Sequence, residues 1–346
     1  MPIGIAIVGS GLFAKEQHLP AVQAATDLQL TAIYSRSLKS AQDLASGTSS
    51  SSAVDLYSED SGPGKSYADL LARADIEAVI IGLPILVQPE FIQKALLAGK
   101  HVLSEKPIAK DVATAQELVS WYQANVDPVK TVWAVAENWR YMTKLLFAAE
   151  QVRTLGAVRN FRVNVHSLMK PDNKYYLTSW RKTPAYQGGF LLDGGVHMVA
   201  ALRLILGSED PITTVSAQSQ QLQEYLPPVD TVDAVVKTQS GASGVVSLSW
   251  GSSFSDNVFE FACEKGMVRV HFDGVTVNGV DHPIEFDGKG VGPEVAEFAR
   301  TIVHGRPVEK RQSPGEALAD LGVLEGMLRS GEQDGERIQL RETYIQ

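Results

Sequence analysis

Three groups of residues combine type and spacing in ways that chemistry could use. Glu105-Lys106-Pro107 closes a short apolar run and sets an ammonium group beside a carboxylate where a strand gives way to a turn. Asp193 and His197 lie four residues apart in an apolar stretch, so on a helix they share one face. Gly9-Ser10-Gly11-Leu12-Phe13-Ala14 has the spacing G-x-G-x-x-A. A cation that polarises an oxygen and a histidine that exchanges protons near neutral pH are suited to interconverting a carbinol and a carbonyl. The glycine spacing is that of a turn whose amides can approach a pyrophosphate.

These groups need elements to position them. Residues 3–8 form an Ile- and Val-rich run, as expected of a strand covered on both faces. Gly9 then permits a tight turn, Gly11 lets phosphate come close, and Ala14 is small enough for helix–strand packing, with a helix expected over 17–25. Gly9, Ser10, Gly11, Leu12 and Phe13 are the expected loop contacts to a dinucleotide. The next strand, 28–34, ends in Ser35-Arg36-Ser37. An NAD-binding unit carries an acid about 20 residues after the glycines, and none is found in the sequence here. A guanidinium flanked by hydroxyls suits a 2′-phosphate, so NADP is expected in preference to NAD.

Strands are expected over 78–82, ending in Leu83-Pro84, over 101–103, leading to Glu105-Lys106-Pro107, and over 131–135. Helices over 89–98 and 114–124 separate them, and the serine-rich tract 46–52 reads as a surface loop. Such alternation makes a doubly wound parallel sheet, whose ligands bind beyond the carboxyl ends of its strands. Gly9, Arg36, Leu83 and Lys106 all fall at such ends.

The second half differs. A helix to about 154 and a strand over 159–167 precede a polar aromatic loop, 172–187. Gly188-Gly189 opens a helix over 190–206, and Gly207 caps it. Gly188, Gly189, Gly194 and Gly195 each cost about 1 kcal/mol relative to Ala in a helix, which argues for close approach by backbone or ligand. Alternating segments at 213–217, 231–238, 244–250, 257–263 and 267–272 suit a mostly antiparallel sheet. Helices over 293–303 and 314–329 and a strand over 338–340 close the chain. The expected class is α/β: a Rossmann dinucleotide-binding domain over 1–136 and an α+β domain over 137–346 for substrate binding and oligomerisation.

Glu105-Lys106-Pro107, the N-terminal G-x-G-x-x-A and Asp193-x-x-x-His197 together resemble the Gfo/Idh/MocA oxidoreductases, in the family's order and over nearly the whole chain. The resemblance implies that Lys106, Asp193 and His197 form the catalytic group beside a nicotinamide. Leu83, Pro84, Glu105 and Lys106 join the expected cofactor contacts, although the family often has Thr or Ser where this chain has Leu83. The expected reaction is reversible hydride transfer between NADP(H) and a carbinol or carbonyl carbon of a sugar, polyol or related diol. His197 exchanges the hydroxyl proton, Lys106 hydrogen-bonds the same oxygen, and Asp193 orients the reacting groups or helps bind a hydroxyl. Asn138, Arg140, Trp180, Arg181 and Tyr186, with Lys182, are the substrate-binding candidates. The resemblance also implies a homodimer or homotetramer built through the C-terminal sheet. Two other readings are a non-catalytic NADP-binding regulator and a cofactor-retaining glycosidase or sugar–sugar oxidoreductase.

The bulk numbers narrow the partners. With 31 Lys+Arg against 40 Asp+Glu the net charge is -9, which gives no basic surface for nucleic acid. The single cysteine excludes an intramolecular disulfide, and no Asn-x-Ser/Thr acceptor occurs. Pro2 replaces the glycine that myristoylation needs, the first strand leaves no room for a signal peptide, and no apolar run approaches the roughly 20 residues that span a bilayer. A cytoplasmic protein without a metal site or membrane partner is expected.

Overall fold

The N-terminal Ile/Val run is a strand with every residue buried, β1 (Ile3–Val8), and it lies inside a parallel sheet. In this computed structural model, which describes residues 2–48 and 54–340, a π-helical turn, Ala14–His18, runs directly into α1 (Leu19–Ala24). There follow β2 (Leu28–Ser35), α2 (Leu38–Ala45), β3 (Asp55–Ser58), α3 (Tyr67–Leu71) and β4 (Ala78–Ile81). Next come α4 (Gln88–Leu97), β5 (His101–Glu105), α5 (Val112–Asn125) and β6 (Trp133–Ala136). The sheet order is β3-β2-β1-β4-β5-β6 and all pairs are parallel. Strand order reverses between β1 and β4, so their carboxyl ends flank the crevice where such sheets take ligands. Residues 49–53, within the expected serine-rich loop and just beyond it, lie outside the described residues.

The turn Asn138–Tyr141 leads to α6 (Thr143–Thr154), β7 (Val158–Ser167), α7 (Ser179–Lys182) and α8 (Gly189–Leu206). Then come β8 (Ile212–Gln220), β9 (Thr231–Thr238), β10 (Ser243–Ser249), β11 (Ser255–Cys263), β12 (Gly266–His271), β13 (Gly274–Val277) and β14 (Val280–Pro283). After α9 (Val291–Val303) and α10 (Pro314–Glu332), β15 (Ile338–Gln339) completes a nine-stranded sheet, β14-β13-β12-β11-β7-β10-β9-β8-β15. Only the β7–β10 pair is parallel. In β9, Val232, Ala234 and Val236 are buried while Asp233, Val235 and Lys237 are exposed, the alternation of a sheet covered on one face. Helices α6 and α8 pack together, with α8 against β7 and β10.

By length and composition α8 could cross a membrane, contrary to the expectation that no apolar run is long enough. Its Leu191, Leu192, Val199, Leu202 and Ile205 are buried, which makes it the core helix beneath the sheet. The hairpin β13–β14 was not expected. Asn278 and Gly279, both with positive φ (51° and 82°), form its two-residue turn.

The chain divides into two units, one of residues 1–109, 113–138 and 288–316, the other of residues 110–112, 139–287 and 317–346. This division departs from the expected one at 136/137, most at 288–316. Helix α9 buries Val291, Val295, Phe298 and Ala299 in a cluster with Ile5, Ile7, Leu103 and Ala134 of the parallel sheet. Its apolar stripe is evident from spacing alone, but a stripe does not say which sheet will bury it.

Candidate functional site

In the first unit, the glycine loop sits at the carboxyl end of β1. Gly9 has φ +106°, and a Cβ there would lie 2.3 Å from the Gly82 carbonyl oxygen and 3.2 Å from Leu83 Cδ2. Only glycine lets the ends of β1 and β4 approach so closely. A Cβ on Gly11, in contrast, would meet nothing within 4 Å. That open space lies at the head of a helical run whose first amides have no partner within the helix, so the loop fits a pyrophosphate. Ser10 Oγ is 2.6 Å from Ser35 Oγ, which ties the loop to the end of β2. Leu12 is exposed, and the Phe13 ring stands edge-on to His18 at 5.2 Å.

At the end of β2, Ser35 is buried, Arg36 is exposed, and Ser37 Oγ accepts from the Ser40 amide as the N-cap of α2. An acid from beyond the neighbouring strand bonds to the start of α2. Ser58 of β3 is paired with Ser35, and just beyond it Asp60 Oδ1 accepts from the Leu38 amide at 2.7 Å and from Ser58 Oγ at 2.6 Å. The Ser58 hydroxyl first, and then the Leu38 amide, hold the Asp60 carboxyl below the usual range. Burial, and then the Glu59 carboxylate that accepts its hydroxyl, push Tyr34 up to about 12.

Beyond β5, the backbone around Lys106 is gripped from two sides. Glu105 Oε2 accepts from the Lys106 amide at 3.2 Å, and Glu105 Oε1 lies 2.7 Å from His18 Nε2. Gln88 Nε2 donates to the carbonyl oxygens of Glu105 (2.6 Å) and Pro107 (3.3 Å), one on each side of Lys106. The Lys106–Pro107 bond is cis. His18 and Gln88 are fully buried and were not among the expected site residues. Their signals were slight: a polar residue in the first turns after the glycine loop, and another opening the helix after Leu83-Pro84. Leu83 and Pro84 are half-buried. Gly9, Leu83 and Glu105 thus meet at one edge of the sheet, where a Cβ on Gly82 would lie 3.9 Å from Glu105 Cγ.

In the second unit, the α8 glycines answer to packing. Gly188 and Gly189 have φ of +75° and +49°, and a Cβ on Gly189 would fall 2.3 Å from the Pro227 carbonyl oxygen. On Gly194 it would strike the Trp250 indole at 2.6 Å, and on Gly195 the Leu324 side chain at 3.1 Å. This close fit fixes the helix that carries Asp193 and His197. Asp193 is 5% exposed, and Arg181 Nε donates to its Oδ2 at 2.7 Å. The Arg181 guanidinium lies 4.0 Å from the centre of the Trp180 ring, which stands 6.5 Å from Tyr186. Burial, and then the Asp193 charge, raise the Tyr186 pKa, and its hydroxyl has no hydrogen-bond partner among the described residues. His197 stacks on Trp139, 5.6 Å between centroids and 12° from parallel. Three of the substrate-binding candidates, Trp180, Arg181 and Tyr186, therefore gather around Asp193.

Asn138 and Arg140 have bonds of their own. Asn138 is buried and donates to the Lys289 carbonyl oxygen at 2.6 Å. Arg140, 2% exposed, shares Asp320 Oδ1 with Arg203, at 2.7 and 2.5 Å. A buried carboxylate between two guanidiniums is a scaffold device, since losing either partner leaves charge poorly compensated. Among the described residues no group of three or more His, Cys, Asp or Glu could hold a metal ion.

Comparison with known proteins agrees with this architecture. A family model described as "Oxidoreductase family, NAD-binding Rossmann fold" matches residues 3–129, and a second, "GFO/IDH/MocA C-terminal domain", matches 148–269. The chain is 44% identical to Dehydrogenase FPY6 of Fusarium mangiferae over 96% of its length and 97% of that protein's. It is 26% identical to the dTDP-3,4-didehydro-2,6-dideoxy-alpha-D-glucose 3-reductase of Actinomadura kijaniata, over 87% of this chain and 86% of the reductase. A crystal structure of an oxidoreductase from Thermotoga maritima superposes with a TM-score of 0.88 at 30% identity, covering 99% of this chain and 100% of that one.

Proposed function

Because the chain belongs to the Gfo/Idh/MocA oxidoreductase family, we propose that it transfers hydride between NADP(H) and a carbinol or carbonyl carbon of a sugar, polyol or related diol. The observation that carries this reading is the clamped Lys106 backbone at the same sheet edge as the glycine cradle. A bound nicotinamide supplies or takes the hydride. The amides of the Gly9–Phe13 loop hold the pyrophosphate, Arg36 with Ser35 and Ser37 holds the 2′-phosphate, and Leu83, Pro84 and Glu105 line the cofactor. Lys106 hydrogen-bonds the reacting oxygen and stabilises the charge that develops on it. His197, its ring fixed by Trp139, takes or returns the hydroxyl proton. Asp193, held by Arg181, orients the reacting groups, and Trp180, Arg181 and Tyr186 receive further hydroxyls. The Tyr186 hydroxyl, without a hydrogen-bond partner among the described residues, supports that last role.

The deoxysugar 3-reductase activity of one relative favours a sugar-like substrate. The test is a panel of aldoses, polyols, trans-dihydrodiols and keto-sugar nucleotides, each with NADP(H) and NAD(H), followed by nicotinamide absorbance. Turnover of at least one class, with kcat/KM about ten-fold or more in favour of NADP(H), is the expected result. Silence across the panel would support the regulator reading, and a ten-fold preference for NAD(H) would overturn the role of Arg36. We further propose a homodimer or homotetramer formed through the outer face of the nine-stranded sheet, where Val235 and Val245 pair directly and stand exposed.

A further inference from the structure

We propose that His18 is a positioning residue for Lys106, acting through Glu105. The inference rests on the reading of Lys106 as the residue at the reacting oxygen. His18 closes the π-helical turn Ala14–His18, and its side chain has no exposure to solvent. A single-turn π bulge inside an otherwise α-helical run carries a cost, and such bulges concentrate at functional sites. Here the bulge ends on a buried imidazole that reaches from the glycine-loop helix to the end of β5.

The hydrogen bonds define what His18 does. A carboxylate only accepts, so Nε2 carries the proton and donates to Glu105 Oε1 at 2.7 Å. The other oxygen, Oε2, is thereby turned to the Lys106 amide at 3.2 Å. Nδ1 is buried without a partner among the described residues, which suits a lone pair better than a second N–H. Gln88 holds the carbonyls on both sides of Lys106. The lysine therefore leaves a backbone whose donor and flanking acceptors are all fixed, and His18 supplies the donor side of that clamp. A residue that merely filled space beside Phe13 could be replaced by phenylalanine. One that aims a carboxylate could not.

Two substitutions separate these roles. His18→Phe keeps an aromatic ring and loses the donor, whereas His18→Gln keeps a donor of similar reach. In His18→Phe, hydrogen–deuterium exchange of the segment 104–108 is expected to rise about ten-fold, with the other strands of the parallel sheet unchanged. On the best substrate of the panel its kcat falls about ten-fold or more, since small misplacement of a reacting group is costly, while NADPH affinity by fluorescence stays within about two-fold. His18→Gln returns both readouts most of the way. Glu105→Gln, which has one accepting oxygen instead of two, gives intermediate exchange and keeps the test decisive should His18→Phe not fold. Unchanged exchange at 104–108, or a kcat within about two-fold of the parent, would overturn the proposal. Exchange is measured without substrate, so it stands apart from the role of Lys106. Lys106→Met judges that role: its retained turnover would sink the reading of the site and leave the exchange result intact.

Discussion

Asp193 at the proposed site has a neighbour that limits how it can move, and that neighbour gives a sharp test. Arg181 makes a charge-assisted bond to an almost buried carboxylate. Removing it as Arg181→Ala is expected to cost about 1–3 kcal/mol in urea denaturation and about ten-fold or more in kcat. Arg181→Lys keeps the charge but not the planar Nε donor, and falls between. Arg36 is exposed at the end of β2. Arg36→Ala should raise KM for NADP(H) by about ten-fold or more, the worth of a charge-assisted contact, and leave KM for NAD(H) within about two-fold. Equal effects on both cofactors would remove Arg36 from the 2′-phosphate.

Elements aim these residues, and their failures should be readable as loss of stability. Gly9→Ala forces a Cβ to 2.3 Å from the Gly82 carbonyl oxygen in a backbone with φ +106°. Thermal melts should show a loss of about 2 kcal/mol or more, because strain and clash add. His101 opens β5, and its Nδ1 accepts from the Val132 amide at the start of the neighbouring strand, at 3.0 Å. Burial lowers the His101 pKa. The unfolded chain then takes up its proton first as pH falls, near the ordinary value of about 6.5. The His101 contribution is therefore full above that value and is lost as pH drops towards the lowered folded pKa, at no more than about 1.4 kcal/mol per pH unit. Urea melts of His101→Gln should be flatter across that window than those of the parent. Much of this level was legible beforehand. Buried Ile/Val runs between amphipathic stretches announced the parallel sheet, and the alternating segments between 213 and 272 announced a mostly antiparallel one. The Asn278-Gly279 turn carried a readable hairpin signal, but its two strands are only four residues each. His18 and Asp60 were not legible, since one depends on a π bulge and the other on the register of β3 against β2.

At the scale of the whole molecule, one row crosses five neighbouring strands on the outer face of the antiparallel sheet: Val235, Val245, Arg162, Glu260 and Arg269. Its apolar end is exposed, and its charged end is internally paired, with Arg162 Nη2 2.9 Å from Glu260 Oε2. Val245→Asp should shift an oligomer to monomer in light scattering without unfolding it, while a parent already monomeric would dispose of the proposed assembly. The motif order foretold a nicotinamide enzyme for the chain as a whole, yet the home of α9 could not be read from it, because an apolar stripe fits either sheet. The central claim is hydride exchange with a carbinol carbon, and label transfer tests it most directly. With NADPH carrying deuterium at both C4 positions of the nicotinamide and the carbonyl form of the best panel substrate, mass spectrometry of the product should find one deuterium on the new carbinol carbon. Product formed without deuterium at that carbon, or with hydrogen drawn from solvent there, would contradict the account.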